Sequence, residues 1–112
     1  MTAKPIRDIV VPGPTYFSPG DEKAFFDWLL AISCVKSIGG VGRDLHIQLK
    51  RAPGNGDLRE LIALLYRYRM DLTPLAALRS SRNADWFAGN PRAYWHKRMF
   101  GKPGPQAKSP ML

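Results

Sequence analysis

The sequence predicts an α+β fold, a small antiparallel β-hairpin or sheet packed against three to four helices, and three observations predict it. Ala24, Phe25, Trp28, Leu29 and Ile32 recur at three- and four-residue spacing, the period of one helix face. Leu45, Ile47 and Leu49 alternate with His46, Gln48 and Lys50, the period of a strand with one wet face. Leu58, Leu61, Ile62, Leu65 and Tyr68 return to the helical period. Helix, hairpin and helices thus follow one another in segregated blocks rather than as alternating βαβ units, which is the order of an α+β domain. At 112 residues the chain fits one domain with one core.

Each element has its own signals. Residues 1–17 hold Pro5, Pro12, Gly13 and Pro14. Proline removes a backbone donor and fixes φ, so this is expected to be an irregular N-terminal arm that covers the core, with room for an edge strand at Ile9–Val11. Ser18-Pro19-Gly20-Asp21 supplies an N-cap hydroxyl, a proline at the first helical position and an acidic residue three on, so a helix starts there and the globular domain spans 18–101. After Cys34, Val35 and Ile38 lead to a loop at Gly39-Gly40-Val41-Gly42 and then into the alternating strand; a hairpin turn that needs positive φ accounts for the glycines. Arg51–Gly56 is a breaker-rich connection, and Asn55 or Asp57 caps a second helix running to about Met70. Thr73-Pro74 begins a short third helix carrying Leu75 and Leu78, Asn83–Phe87 forms a further helical turn, and Asn90-Pro91 opens a last helix through Tyr94, Trp95, Arg98 and Met99 that stops at Gly101. Residues 102–112 contain three prolines and little to bury, the composition of a disordered tail.

Charge bears most directly on function. The formal net charge is +8, and it is unevenly spread: residues 79–112 carry seven Lys or Arg against Asp85 alone, or +6, whereas 57–78 balance to zero. Excess positive charge attracts acidic proteins and phosphate polymers alike. The single cysteine, Cys34, has no intramolecular disulfide partner, and nothing resembles zinc-ligand spacing, so a reducing compartment, the cytoplasm by default, is expected, with no metal and no cofactor. No apolar run reaches the length of a signal peptide or a bilayer span, so no membrane association is expected.

Catalytic chemistry finds little support. Cys34, His46 and His96 match no nucleophile signature. Glu22 and Glu60 stand near predicted helix starts, where a carboxylate complements the dipole. Gly39-Gly40-Val41-Gly42-Arg43 lacks the Lys-Ser/Thr ending of a phosphate loop and precedes a strand, not a helix.

What remains is the interleaving of cations and rings. Tyr66-Arg67-Tyr68-Arg69 ends the second helix, and Arg92, Tyr94, Trp95, His96, Lys97 and Arg98 make up most of the last. Arginine and aromatic residues dominate interface hot spots, which makes Arg67, Arg69, Arg92, Lys97 and Arg98 the candidate contacts of a protein-binding surface. The same residue types serve single-stranded nucleic acid, rings stacking on bases and cations meeting phosphate, with Lys102 and Lys108 of the tail adding charge.

Phe25-Phe26-Asp27-Trp28-Leu29, Leu58-Arg59-Glu60-Leu61-Ile62-Ala63-Leu64, Arg67-Tyr68, Asn83 with Trp86-Phe87, and Tyr94-Trp95 together resemble small bacterial immunity proteins of polymorphic-toxin and contact-dependent growth inhibition systems. The resemblance implies a non-enzymatic protein that docks on a toxin domain and blocks it. No family functional residue carries over to a position here. Immunity proteins against nucleases are often acidic, so the +8 charge departs from that pattern and requires an acidic docking surface on the toxin. The expected function is therefore a non-enzymatic protein-binding module with an acidic partner; the alternative is a basic protein that binds RNA or single-stranded DNA.

Overall fold

The computed structural model describes residues 7–101. Three strands, β1 (Asp8–Pro12), β2 (Val35–Val41) and β3 (Asp44–Leu49), form one antiparallel sheet in the order β1-β3-β2. The alternating strand lies in the middle: Ile9 pairs with Ile47 on one side, and Ile38 pairs with Ile47 on the other. Ile9, Val11, Leu45, Ile47 and Leu49 are buried on the inner face, while Asp8, Val10 and Gln48 face outward.

Two helices, α1 (Pro19–Ala31) and α2 (Asn55–Arg67), complete the core with a 3₁₀ helix at Thr73–Leu78 and a short α3 (His96–Met99). Helix α1 packs on β2 and α2, and the 3₁₀ segment packs on β1 and α3. Phe25, Leu29, Leu58, Leu61, Ile62 and Leu65 are sealed between them. The start of α1 follows the expected chemistry, since the Asp21 amide donates to Ser18 Oγ at 3.0 Å and Pro19 occupies the first turn. Ser18→Ala should cost about 1 kcal/mol in a urea denaturation, the usual value of a lost N-cap.

Several expectations change. The N-terminal arm does not merely cover the core: β1 is an edge strand that contributes Ile9 and Val11 to it, because alternation at 8–12 suits a half-buried edge and Pro12 sits where the edge tolerates a missing donor. With β1 and β2 both antiparallel to β3, they run parallel to each other, so α1 is a crossover joining the two edges around β3 rather than an isolated helical block. The glycine loop is narrower than expected. Gly39 and Gly40 lie inside β2, and only Gly42, at φ +61°, needs a left-handed conformation in the two-residue turn with Arg43. Lys36 is the extra residue of a bulge between Val35 and Ser37.

The last helix is also shorter than Asn90–Gly101. The Ala93 and His96 amides bond three residues back, to Asn90 and Ala93, so 90–95 runs as turns that rotate Trp95 into the core before α3 begins. Gly101 does end it: its amide bonds to His96 and Lys97 carbonyls, and a Cβ there would meet Lys97 Cα at 2.7 Å. Asn83 is a buried polar residue that holds its turn together, accepting from the Ser80 amide at 2.8 Å and donating to the Leu78 carbonyl at 3.0 Å. The expected tail, 102–112, lies outside the described residues.

Helix α2 stops at Arg67, three residues short of the expected Met70, and the manner of stopping builds the site. The Met70 amide bonds to Leu65 O at 2.9 Å and the Arg69 amide to Tyr66 O at 3.0 Å, the paired bonds of a Schellman cap, with Leu65 and Met70 both buried beneath it. Arg69 occupies the left-handed position of this cap at φ +59°, the place where glycine is the usual residue. A side chain held there costs on the order of 1 kcal/mol or more.

Candidate functional site

The cap turns Arg67 and Arg69 outward on a saddle between two clefts. One, about 620 Å³, is walled by the Pro12–Thr15 linker, Phe17 and Asp21 on one side and by Arg67–Asp71 on the other. The second, about 450 Å³, is walled by Trp28, Ala63, Tyr66, Tyr94 and Arg98, and Arg67 and Arg69 line it too. Sequence reasoning put five cations on the candidate surface. The fold brings Arg67, Arg69 and Arg98 to this one place, whereas Arg92 and Lys97 are exposed and line neither cleft.

The walls are fixed by contacts that leave the two saddle arginines without an ion pair among the described residues. Trp28 Nε1 donates to Glu60 Oε1 at 2.9 Å, locking α1 to α2; the carboxylate expected to cap α2 holds a neighbouring helix instead. Asp21 accepts from the Phe17 amide at 3.0 Å, and Asp71 accepts from the amide and hydroxyl of Thr73 at 3.0 and 2.8 Å. Arg98 donates to Met70 O at 2.8 Å and lies 4.6 Å from the centre of the Tyr66 ring, so it braces the α2 cap against α3. Among the described residues the ion pairs are Lys23–Asp27 and Arg51–Asp57, and neither involves the saddle.

Aromatic rings extend the second wall. Tyr66 meets Tyr94 edge-on at 4.7 Å, Tyr94 meets Trp95 at 4.9 Å, and Trp95 meets Trp86 at 5.9 Å. Arg59, which sequence reasoning did not single out, lies 4.0 Å from the Trp86 ring centre and closes the series. The buried Nε1 atoms of Trp86 and Trp95 have no acceptor among the described residues. Burial first, then Tyr66 and Glu60, raises the Tyr94 phenol above its ordinary pKa; burial first, then Asp21, does the same for Tyr68. Both phenols remain proton donors at neutral pH. Two exposed rings line the site: Tyr94, 52% exposed, in the second cleft and Phe17, 87% exposed, in the first. Phe17 was missed because the helical and strand periods say nothing of how a linker folds back.

The remaining candidates lie elsewhere. Cys34 is fully buried, and burial first, then the Asp57 carboxylate, pushes its thiol from an ordinary 9.0 up to about 11. Asp57 itself accepts from Ser33 Oγ at 2.8 and 3.0 Å, and Arg51 Nη2 donates to Ser33 Oγ at 2.8 Å, which ties the α2 start to the chain around Cys34. Asn55 or Asp57 was expected to cap α2; Gly54 takes the N-cap position without a side-chain bond. A thiol kept protonated at neutral pH is a poor nucleophile. His96 Nε2 donates to Ala88 O at 2.8 Å, a structural bond, and His46 sits on the outer sheet face beside Val10 and Gly39.

The raised thiol has a pH consequence. In the unfolded chain Cys34 ionises near 9, but in the folded chain only near 11, so its contribution is complete below pH 9 and is lost as pH rises through about 11. Urea midpoints should fall across that interval by up to about 3 kcal/mol of stability, and Cys34→Ala should remove much of the fall. Tyr16, Tyr68 and Tyr94, also raised, act in the same direction.

Among the described residues no group of three or more His, Cys, Asp or Glu is placed to hold a metal ion, and no helix is long and apolar enough to cross a membrane. No family model, no curated protein and no solved structure matches the chain.

Proposed function

We propose that the protein is a non-enzymatic binding module that docks on an acidic surface of another protein through the Arg67–Arg69 saddle. The observation that carries this reading is the convergence of Arg67, Arg69 and Arg98 with Trp28, Tyr66 and Tyr94 around one cleft, with no carboxylate paired to the saddle among the described residues. Arginines in an aromatic setting are the residues on which interface energy concentrates. The resemblance to immunity proteins makes a toxin domain one partner of this kind, covered and blocked by docking. A lone buried thiol agrees with work in a reducing cytoplasm.

Asp21 and Asp71 line the first cleft, and their charges favour a partner whose negative charge is confined to the arginine pair over a uniformly charged polyphosphate. The test is affinity capture of the tagged full chain from its host lysate, with and without nuclease, at low and moderate salt. A stoichiometric protein partner that survives nuclease and moderate salt supports the reading. Recovery of RNA or DNA alone, lost steeply as salt rises, overturns it in favour of a nucleic-acid-binding protein.

A further inference from the structure

The shape of the saddle says more than that a partner is acidic. Arg67 and Arg69 line both clefts, which makes the arginine pair their shared border and the two clefts adjoining lobes. Helix α1 runs along it, with Asp21 at one lobe and Trp28 at the other. Seven residues of helix separate those two positions, about 10 Å at 1.5 Å per residue. That is the reach of about three residues of extended chain. An exposed ring lines each lobe, Phe17 the first and Tyr94 the second.

A groove with two lobes and a cationic crest complements a strand of chain better than a flat folded surface. Charge complementarity also selects its composition. Among the described residues the guanidinium groups of the crest are unpaired, but the first lobe is bordered by Asp21 and Asp71, so negative charge is welcome at the middle of the occupant and not along its whole length. The left-handed backbone of Arg69 points the same way. Glycine would satisfy the cap without strain, yet an arginine is held there at φ +59°, and a conformation that the fold alone would fill more cheaply signals a use for the side chain.

We infer that the groove binds an extended acidic peptide segment of the partner, with one or two carboxylates on Arg67 and Arg69 and an apolar side chain in each lobe, the two separated by about three residues. This rests on the protein-binding reading and makes it specific.

The experiment is a selection of short random displayed peptides on the immobilised full chain, followed by fluorescence anisotropy of the recovered peptide with wild type, Arg69→Gly and Phe17→Ser. The expected motif is an apolar residue, an Asp- or Glu-containing centre and a second apolar residue. Arg69→Gly is expected to weaken the recovered peptide at least about tenfold, as loss of a hot-spot arginine does, while the melting temperature stays level or rises. Phe17→Ser weakens it less. Recovered peptides without acidic residues, or an Arg69→Gly variant that binds as well as wild type, overturn the inference. If no peptide is recovered but the nuclease-resistant lysate partner still binds, the occupant is a folded surface: the inference fails and the protein-binding reading stands. If only oligonucleotides bind, both fail.

Discussion

Replacing Arg67 and Arg69 together by glutamate is expected to weaken binding of the captured partner by at least about a hundredfold while leaving the melting temperature within a few degrees of wild type. Each arginine at a hot spot is worth about 2 kcal/mol or more, a factor of about thirty, and reversal adds repulsion from an acidic partner. Their effects share one partner surface and will not add cleanly. The fold has little to lose, because both side chains are exposed and neither forms an ion pair among the described residues. Reversal of charge at the C-terminal end of α2 opposes the helix dipole, a cost of about 0.3–1 kcal/mol. Calorimetric titration with the captured partner measures the first quantity and thermal denaturation the second. Reversing Arg92 and Lys97 should do far less, since they line neither cleft. Arg98→Glu is a poor probe of binding alone, because it also removes the bond to Met70 O and the contact with the Tyr66 face.

The largest expected loss of stability comes from Phe25→Ala. The ring is fully buried and meets Tyr16 at 5.7 Å, Phe26 at 5.3 Å and Tyr68 at 4.9 Å, edge-on to Phe26 and Tyr68. Truncating a buried phenylalanine costs about 3–5 kcal/mol through lost burial and the cavity left behind. Against a total stability of about 5–15 kcal/mol that is a large share, and the melting temperature of a domain this size should fall by about 15 °C or more. Tyr68 borders the first cleft, so the same substitution loosens one wall of the groove. Leu30→Ala, five residues further along the helix but 55% exposed, serves as the control and should change stability by less than about 1 kcal/mol.

Both predictions divide along a line visible in the sequence itself. Local signals were sufficient where the deciding interactions are local. The alternation at Leu45, Ile47 and Leu49 marks the central strand because every inward residue is buried, and Ser18-Pro19 starts α1 because its hydroxyl bonds an amide three residues away. Where distant chain segments decide, the signals fall silent. Val10 pairs with His46, 36 residues on, and nothing within the proline-flanked arm reveals that partner. Trp95 lies at the end of the turns that replace the start of the expected last helix, with its ring buried against elements distant in sequence. Asp57 and Glu60, placed for helix capping by sequence alone, are taken by Ser33 and Trp28 from other elements.

The site shows the same division. Arg67 and Arg69 are legible as a basic, aromatic helix end, since four consecutive residues carry the pattern. Their role as a shared crest is not, because it depends on the helix ending at Arg67 and on Arg69 taking the left-handed position of the cap without a glycine to announce it. Arg98 was legible as a candidate, but its bond to Met70 O joins residues 28 apart and makes it a brace as much as a contact.

The central claim is that partners are met at the saddle, and amide hydrogen exchange of the full chain with and without its captured partner tests it most directly. Added protection at 12–17, at 66–71 and around 94–98 is the predicted result. Protection confined to the outer sheet face, at 8–10, 37–41 and 46–48, with the saddle exchanging as in the free protein, would contradict it.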